Sequence, residues 1–172
     1  YSRSEIGKSV QGDIILGDKV SIKMVPYLSS NGDSSPVDDD GVVLKEIELI
    51  KDGIALNMWG GNKYGYYLGI DKSTGHLKNI EIQGGSKSVE QMKKEPYIEC
   101  VQFSGFQMDS FTGFCGGEVR LGFYHDGNKV IPVSCFSISG DMNKIKSNLI
   151  LSAEVVEEKN YKGPKLIEVK DF

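Results

Sequence analysis

The sequence predicts a mainly β fold, an antiparallel β-barrel or sandwich carrying two short helices. Three observations carry that expectation. Glycine occurs 21 times in 172 residues, about 12% against a usual share of roughly 7%, and so many turn formers favour short strands over a helical bundle. Val119, Leu121 and Phe123 alternate with Arg120, Gly122 and Tyr124, which gives an extended segment one apolar and one wet face. Asp-Gly pairs at 52–53 and 126–127 supply the left-handed backbone that tight hairpin turns need.

Taken in order, residues 1–12 are polar and read as an entering arm. Residues 14–25 are the first strand region, interrupted by Gly17-Asp18 and closed by Pro26. Residues 29–40 form a twelve-residue loop rich in turn formers, and a loop that long in a compact domain is usually functional or mobile. Residues 42–50 alternate as a strand, Asp52-Gly53 turns the chain, and residues 54–59 pair back. The Gly and aromatic segment around Trp59, Tyr64, Tyr66 and Tyr67 has the makings of a peptide-stacking surface, but packing in the core or at an edge is the favoured reading, because aromatic rings stabilise mainly through buried area. Ser73-Thr74-Gly75 is a turn, after which Leu77, Ile80 and Ile82 rebuild a strand.

Residues 88–94 are the clearest helix signal. Ser88 with Gln91 three positions on makes a capping box, the two lysines 93 and 94 sit at the favourable C-terminal end, and Pro96 stops the helix. Residues 97–108 return to strand character. Residues 113–117 read as a Gly-rich bend, residues 119–123 and 130–138 as the two arms of a hairpin about Asp126-Gly127, residues 141–147 as a second helix, and residues 149–156 and 166–169 as closing strands.

The 172 residues and 39% hydrophobic content suit one domain over residues 1–172. A net charge of −4 and a pI near 5.3, with Lys and Arg scattered singly, argue against direct nucleic-acid binding through a basic face. No apolar run approaches the ~20 residues of a membrane span. Cys100, Cys115 and Cys135 make an odd number without a CxxC pair, which fits a reducing, cytoplasmic setting. Tyr1 in place of Met, ahead of strand-like sequence, is what a piece of a longer protein would show.

The chemical motifs are few. The acidic run Asp38, Asp39, Asp40 before Gly41 lacks the alternating ligands, the central Gly and the final Glu of an EF-hand loop, so a solvated turn is the favoured reading. His76 and His125 belong to no metal-binding helix spacing and read as exposed turn histidines. Cys115 in a Gly-rich bend has the look of a nucleophile beside backbone amides, yet only His125 is near enough in sequence to serve as its base, and the hydrolase reading is weighed well below a structural one. The paired glycines at 60–61, 84–85 and 116–117 match neither phosphate-loop pattern.

The order of the turns, taken together, resembles the C-terminal domain of the TldD/PmbA family, long labelled modulators of DNA gyrase and related to a metalloprotease. The acidic-Gly motif followed by a strand and an "IxDGxL"-like turn is similar to residues 38–41 and 48–56. The family's Thr-Gly-Asn turn looks like Thr74-Gly75-His76, its segment before a short helix like residues 84–92, its Thr-Gly-Phe-Ser like Thr112-Gly113-Phe114-Cys115, and its "GPxlixV" ending like residues 163–169. The match is collinear over nearly the whole chain.

That resemblance implies a C-terminal domain of a longer, cytoplasmic, peptide-processing protein. The family's peptidase-type subunit binds zinc through an HExxxH helix ahead of this region and a cysteine close to the C-terminus. Neither motif is in these residues, and Asp40, His76 and Cys115 stand where the family usually has Glu, Asn and Ser. The implied reading is the PmbA-like subunit: no catalytic residue and no metal ligand here, zinc in the full-length parent or its partner, and assembly as a homodimer or with a TldD-like subunit around an unfolded or extended peptide. A β domain with an unpaired edge can take such a peptide by strand addition. Loop position then nominates Asp39, Asp40, Thr74, His76, Phe114 and Cys115 as the peptide-binding residues.

Overall fold

The computed structural model describes residues 5–32, 34–70 and 74–170; residues 1–4 of the arm, Asp33 of the long loop and Ser73 of the turn lie outside them. The strands are β1 (Ile22–Val25), β2 (Ile47–Lys51), β3 (Ile54–Ala55), β4 (Asn79–Ile82), β5 (Tyr97–Met108), β6 (Phe114–His125), β7 (Val130–Val133), β8 (Phe136–Asp141), β9 (Ile150–Leu151), β10 (Val155–Glu158), β11 (Tyr161–Pro164) and β12 (Ile167–Glu168). Among the described residues three short helices interrupt them: α1 (Asn62–Tyr67), α2 (Val89–Met92) and α3 (Met142–Ile145).

Of the two closures the sequence left open, the structure takes the sandwich-like one. A six-stranded sheet runs in the order β10-β11-β4-β1-β2-β3, with residues 7–10 of the arm bonded along β3 at one end and β10 at the other, and no barrel closes. Its pairs are antiparallel except β11 on β4, where Tyr161 lies opposite Ile80 and Lys162 opposite Glu81. The second large sheet is built on the hairpin of β5 and β6, twelve residues each, with β7 and β8 sharing the other flank of β6. A small pair, β9 with β12, completes the set.

Local chemistry explains where these elements depart from expectation. Strand character within residues 14–25 is confined to β1, because the amides of Leu16 and Gly17 both donate to the Ser147 carbonyl instead of to a neighbouring strand. The expected bend at 113–117 is a bend only at Gly113, with φ +83°. Gly116 and Gly117 sit inside β6 because neighbouring backbone comes too close for a side chain: a Cβ would lie 2.7 Å from the Ile138 carbonyl oxygen at 116 and 2.2 Å from the Gly105 carbonyl oxygen at 117. Residues 130–138 split into β7 and β8 at Cys135, whose φ of +58° is a left-handed position rare for a non-glycine.

The two expected helices are present. In α2 the Ser88 side chain accepts from the Gln91 amide while the Gln91 side chain accepts from the Ser88 amide, and α3 is capped by Asp141. Helix α1 carries neither a side-chain cap nor an acidic first turn, so it had no local signal. Its tyrosines are not packed inside: Tyr64, Tyr66 and Tyr67 are 60%, 82% and 70% exposed, which overturns the core reading for them. Trp59 does pack against the core of Met24, Leu44 and Leu77, with Ile47, Leu49 and Ile80 around it. Side chains of this size stabilise by about 1.5–3 kcal/mol each when fully buried.

Buried Gln11 ties three segments together. Its Nε2 donates to the carbonyls of Asp18 (3.0 Å) and Lys146 (2.9 Å), and its Oε1 accepts from the Val20 amide at 2.8 Å. The arm is thereby fixed to the approach of β1 and to the end of α3.

Candidate functional site

Two concave regions emerge from this frame, one on the six-stranded sheet and one on the hairpin sheet. The first is organised by Asp38. Its Oδ1 accepts from the amides of Asp40 (3.0 Å) and Val42 (2.9 Å), and its Oδ2 accepts from the amide of His76 (2.9 Å). Burial pushes this carboxyl up, but the three N–H groups outweigh it and hold the pKa below the ordinary 3.8. The acidic run is thus a capped turn, and its first carboxylate clamps the turn to the loop that precedes β4.

Glycines make room for this clamp. A Cβ on Gly75 would meet Leu44 Cδ2 at 2.5 Å and Asp38 Oδ2 at 2.9 Å, and one on Gly61 would strike the His76 ring. Thr74 closes the other side, its Oγ1 accepting from the Gly60 amide at 3.0 Å. Asp39 and the exposed His76 line the resulting cleft with Ser35, Lys78 and buried Asn79. Its free volume of about 70 Å³ has room for a few water molecules, a size that suits the tip of a side chain.

The second region is an open trough of about 420 Å³ across β5, β6 and β8. Phe114, Gly116 and Glu118 alternate onto one face of β6; Gly105 and Gln107 lie opposite on β5, and Ser137 and Ser139 on β8. The floor is glycine, and the walls mix the polar Ser104, Gln107, Glu118, Ser137 and Ser139 with the apolar Phe114 and Ile138. Glu118 Oε2 accepts from Ser104 Oγ at 3.0 Å and faces Arg120 Nη2 at 3.4 Å. The Phe114 ring leans over Gly116, which has no side chain to obstruct it. The alternation of Ser137 and Ser139 with Ile138 and Gly140 was visible in the sequence; the pairing that sets these serines beside Gln107 and Glu118 was not.

The nominated residues therefore divide. Asp39 and His76 share the small cleft, with Asp40 and Thr74 in its supporting turns, while Phe114 belongs to the trough. Cys115 is fully buried, and its Sγ lies 3.5 Å from the Gly140 carbonyl oxygen. It cannot meet a substrate as a nucleophile there. The only base the sequence offered, His125, is ten positions further along the same strand, about 33 Å away. His125 is not an exposed turn residue either: it stacks on Tyr97 (centroids 4.3 Å apart, 9° between planes), and its Nε2 faces Glu99 Oε2 at 3.4 Å, an ion-pair distance without hydrogen-bond alignment.

Comparison with known proteins places this geometry. Residues 3–172 match the PmbA/TldA metallopeptidase C-terminal domain. The chain belongs to the PmbA/TldD family. This PmbA/TldD domain is 31% identical over 166 residues to Metalloprotease PmbA of Escherichia coli O157:H7, covering 93% of the chain but 36% of that protein. Among solved structures it superposes on a proposed modulator of DNA gyrase from Thermotoga maritima (TM-score 0.73, 21% identity, 95% of this chain and 40% of that one). It also superposes on TldE from Thermococcus kodakarensis (TM-score 0.71, 16% identity, 89% and 40%). The structural neighbours share the fold, and the domain spans little more than a third of the curated relative.

The family name implies a metal. Among the described residues of this PmbA/TldD domain, no three His, Cys, Asp or Glu side chains come close enough to hold an ion. Both oxygens of Asp38 are committed to backbone amides, and the Cys115 thiol is enclosed. The described residues do not fit a zinc site. No helix among the described residues is long and apolar enough to cross a membrane.

Proposed function

We propose that this PmbA/TldD domain holds extended peptide and docks other subunits in a metalloprotease-type assembly, with the bond-breaking chemistry supplied outside residues 1–172. The observation that carries the reading is the outer edge of β5. This strand is twelve residues long, ends the sheet order, and contains Glu99 as its one charged residue. Edge strands of that length are usually blunted by Lys, Pro, a bulge or a covering element; β5 has register shifts between Cys100 and Gly105 but neither Lys nor Pro. Among the described residues no strand pairs with this edge of β5, which offers backbone for strand addition, and the trough beside it gives a pocket for alternate side chains.

Phe114 stacks against the bound chain in this reading, with Cys115 supporting it from beneath. Asp39, Asp40, Thr74 and His76 form a second, smaller contact that accepts one side-chain tip. Zinc, where the complete protein or a partner subunit holds it, supplies the hydrolytic chemistry, and the setting is cytoplasmic.

The test uses the full-length protein and a fluorescein-labelled extended peptide, read by anisotropy. Ser137→Trp and Ser139→Trp, at exposed positions, fill the trough without disturbing the core and should abolish binding. Wild-type affinity in both variants would overturn the peptide-holding role of this face.

A further inference from the structure

Among the described residues that line the trough beside β5, one carries a charge, Glu118. Both partners of its carboxylate, Ser104 Oγ at 3.0 Å and Arg120 Nη2 at 3.4 Å, sit on Oε2, which leaves Oε1 without a partner among the described residues. Arg120 does not line the trough. With side chains 53% and 42% exposed, the Arg120–Glu118 pair is of the kind that contributes little in water. Gln107, Ser137 and Ser139 line the same trough and make no side-chain hydrogen bond among the described residues. The carboxylate sets the sign of the ligand: the group it suits is a cation, with amide and hydroxyl oxygens around it to accept the remaining N–H groups.

The sheet sets how long that cation must be. Gly105 on β5 lies directly opposite Glu118 on β6. A peptide strand added along the outer edge of β5 stands two strand spacings from β6, about 9.6 Å, so a side chain on the trough face must cross Gly105 to meet Glu118. Packing does not require glycine there: the backbone is outside the left-handed region, and a Cβ would touch nothing within 4 Å. The missing side chain leaves the crossing open. The three- and four-carbon stems of Arg and Lys, met by the Glu118 side chain from the other side, span that distance, whereas Ser, Asp or Val falls short. Phe114, whose ring leans over Gly116 beside Glu118, gives the stem an apolar wall and a guanidinium a ring to stack on.

We infer that the trough is a pocket for one basic side chain, Arg or Lys, of an extended peptide, which reaches across Gly105 to Glu118. The inference rests on the peptide-holding function and names the class of peptide that this face selects.

The experiment uses the full-length protein and fluorescein-labelled threonine peptides carrying one guest residue, Arg, Lys, norleucine or Glu, read by anisotropy. The uniform host lets the guest slide into the trough. Wild type should bind the Arg and Lys guests about three- to fivefold tighter than norleucine, the strength of a solvent-exposed charge pair, and about tenfold or more tighter than Glu, where like charges oppose. The order should fade as salt is raised to about 0.5 M. Glu118→Gln should bring the Arg-to-Glu ratio close to one, Glu118→Lys should invert it, and Arg120→Gln, which removes a competing cation, should raise it. Equal binding of all four guests by wild type, lost in Ser137→Trp, would overturn the inference and leave the peptide-holding function standing; no binding of any guest would overturn both. An arginine preference that survives in Glu118→Gln would place the recognition elsewhere and overturn the assignment to this trough. The wild-type series decides even where a variant fails to fold.

Discussion

Replacing Asp38 with Ala removes the clamp that shapes the small cleft, and the structure gives its magnitude. Three backbone amides, those of Asp40, Val42 and His76, lose a charged acceptor at 2.9–3.0 Å. Hydrogen bonds to charged groups contribute about 1.5–3 kcal/mol each when shielded, and water competes at this half-buried site, so about 1 kcal/mol per bond and 2–3 kcal/mol in total is expected. Local opening should become roughly 30- to 150-fold easier, read as faster hydrogen exchange at the Val42 and His76 amides in the full-length protein. Asp38→Asn keeps a neutral acceptor for one loop and should lose about half as much. The same clamp titrates. Because the folded-state pKa lies below 3.8, its contribution is fully present above that value and fades as pH falls below it through the folded-state value. Unchanged exchange at both amides in Asp38→Ala would refute the argument and place the hold on the loop in packing alone.

Three further outcomes follow from burial. Leu77→Ala, at a side chain 1% exposed in the main core, should cost about 2–5 kcal/mol, read as a lowered denaturant midpoint. Gln11→Leu leaves two carbonyls and one amide without partners and should cost roughly 2–4 kcal/mol on the same assay, despite its apolar character. Iodoacetamide followed by mass spectrometry should label exposed Cys135 first and Cys100 more slowly, since burial pushes its thiol pKa up. Cys115 should react only after unfolding.

Much of the fold was legible because its signals are local. The capping box of Ser88 and Gln91, the Asp141 cap, and the Asp-Gly turns at 52–53 and 126–127 each write their own geometry, and β5 occupies the residues whose strand character predicted it. The misses depend on distant partners. Strand β11 forms because Tyr161 and Lys162 meet β4, some eighty residues back in the chain. Gly116 and Gly117 read as bend formers, whereas their absent side chains serve close strand approach. At the site, the Thr74 and His76 turn and the acidic run were visible separately, and the contact that joins them, Asp38 on the His76 amide, belongs to tertiary structure. The trough escaped notice for the same reason: β8 reaches β6 only after Cys135 turns the chain.

The most direct test of the peptide-holding account is hydrogen exchange across residues 97–108 in the full-length protein, with and without saturating extended peptide. Strand addition at the free edge predicts that amides along β5 slow by at least about tenfold, because the outward-facing groups gain partners that water must displace. No change along β5 when peptide is demonstrably bound would contradict the account and move the binding face elsewhere in the protein.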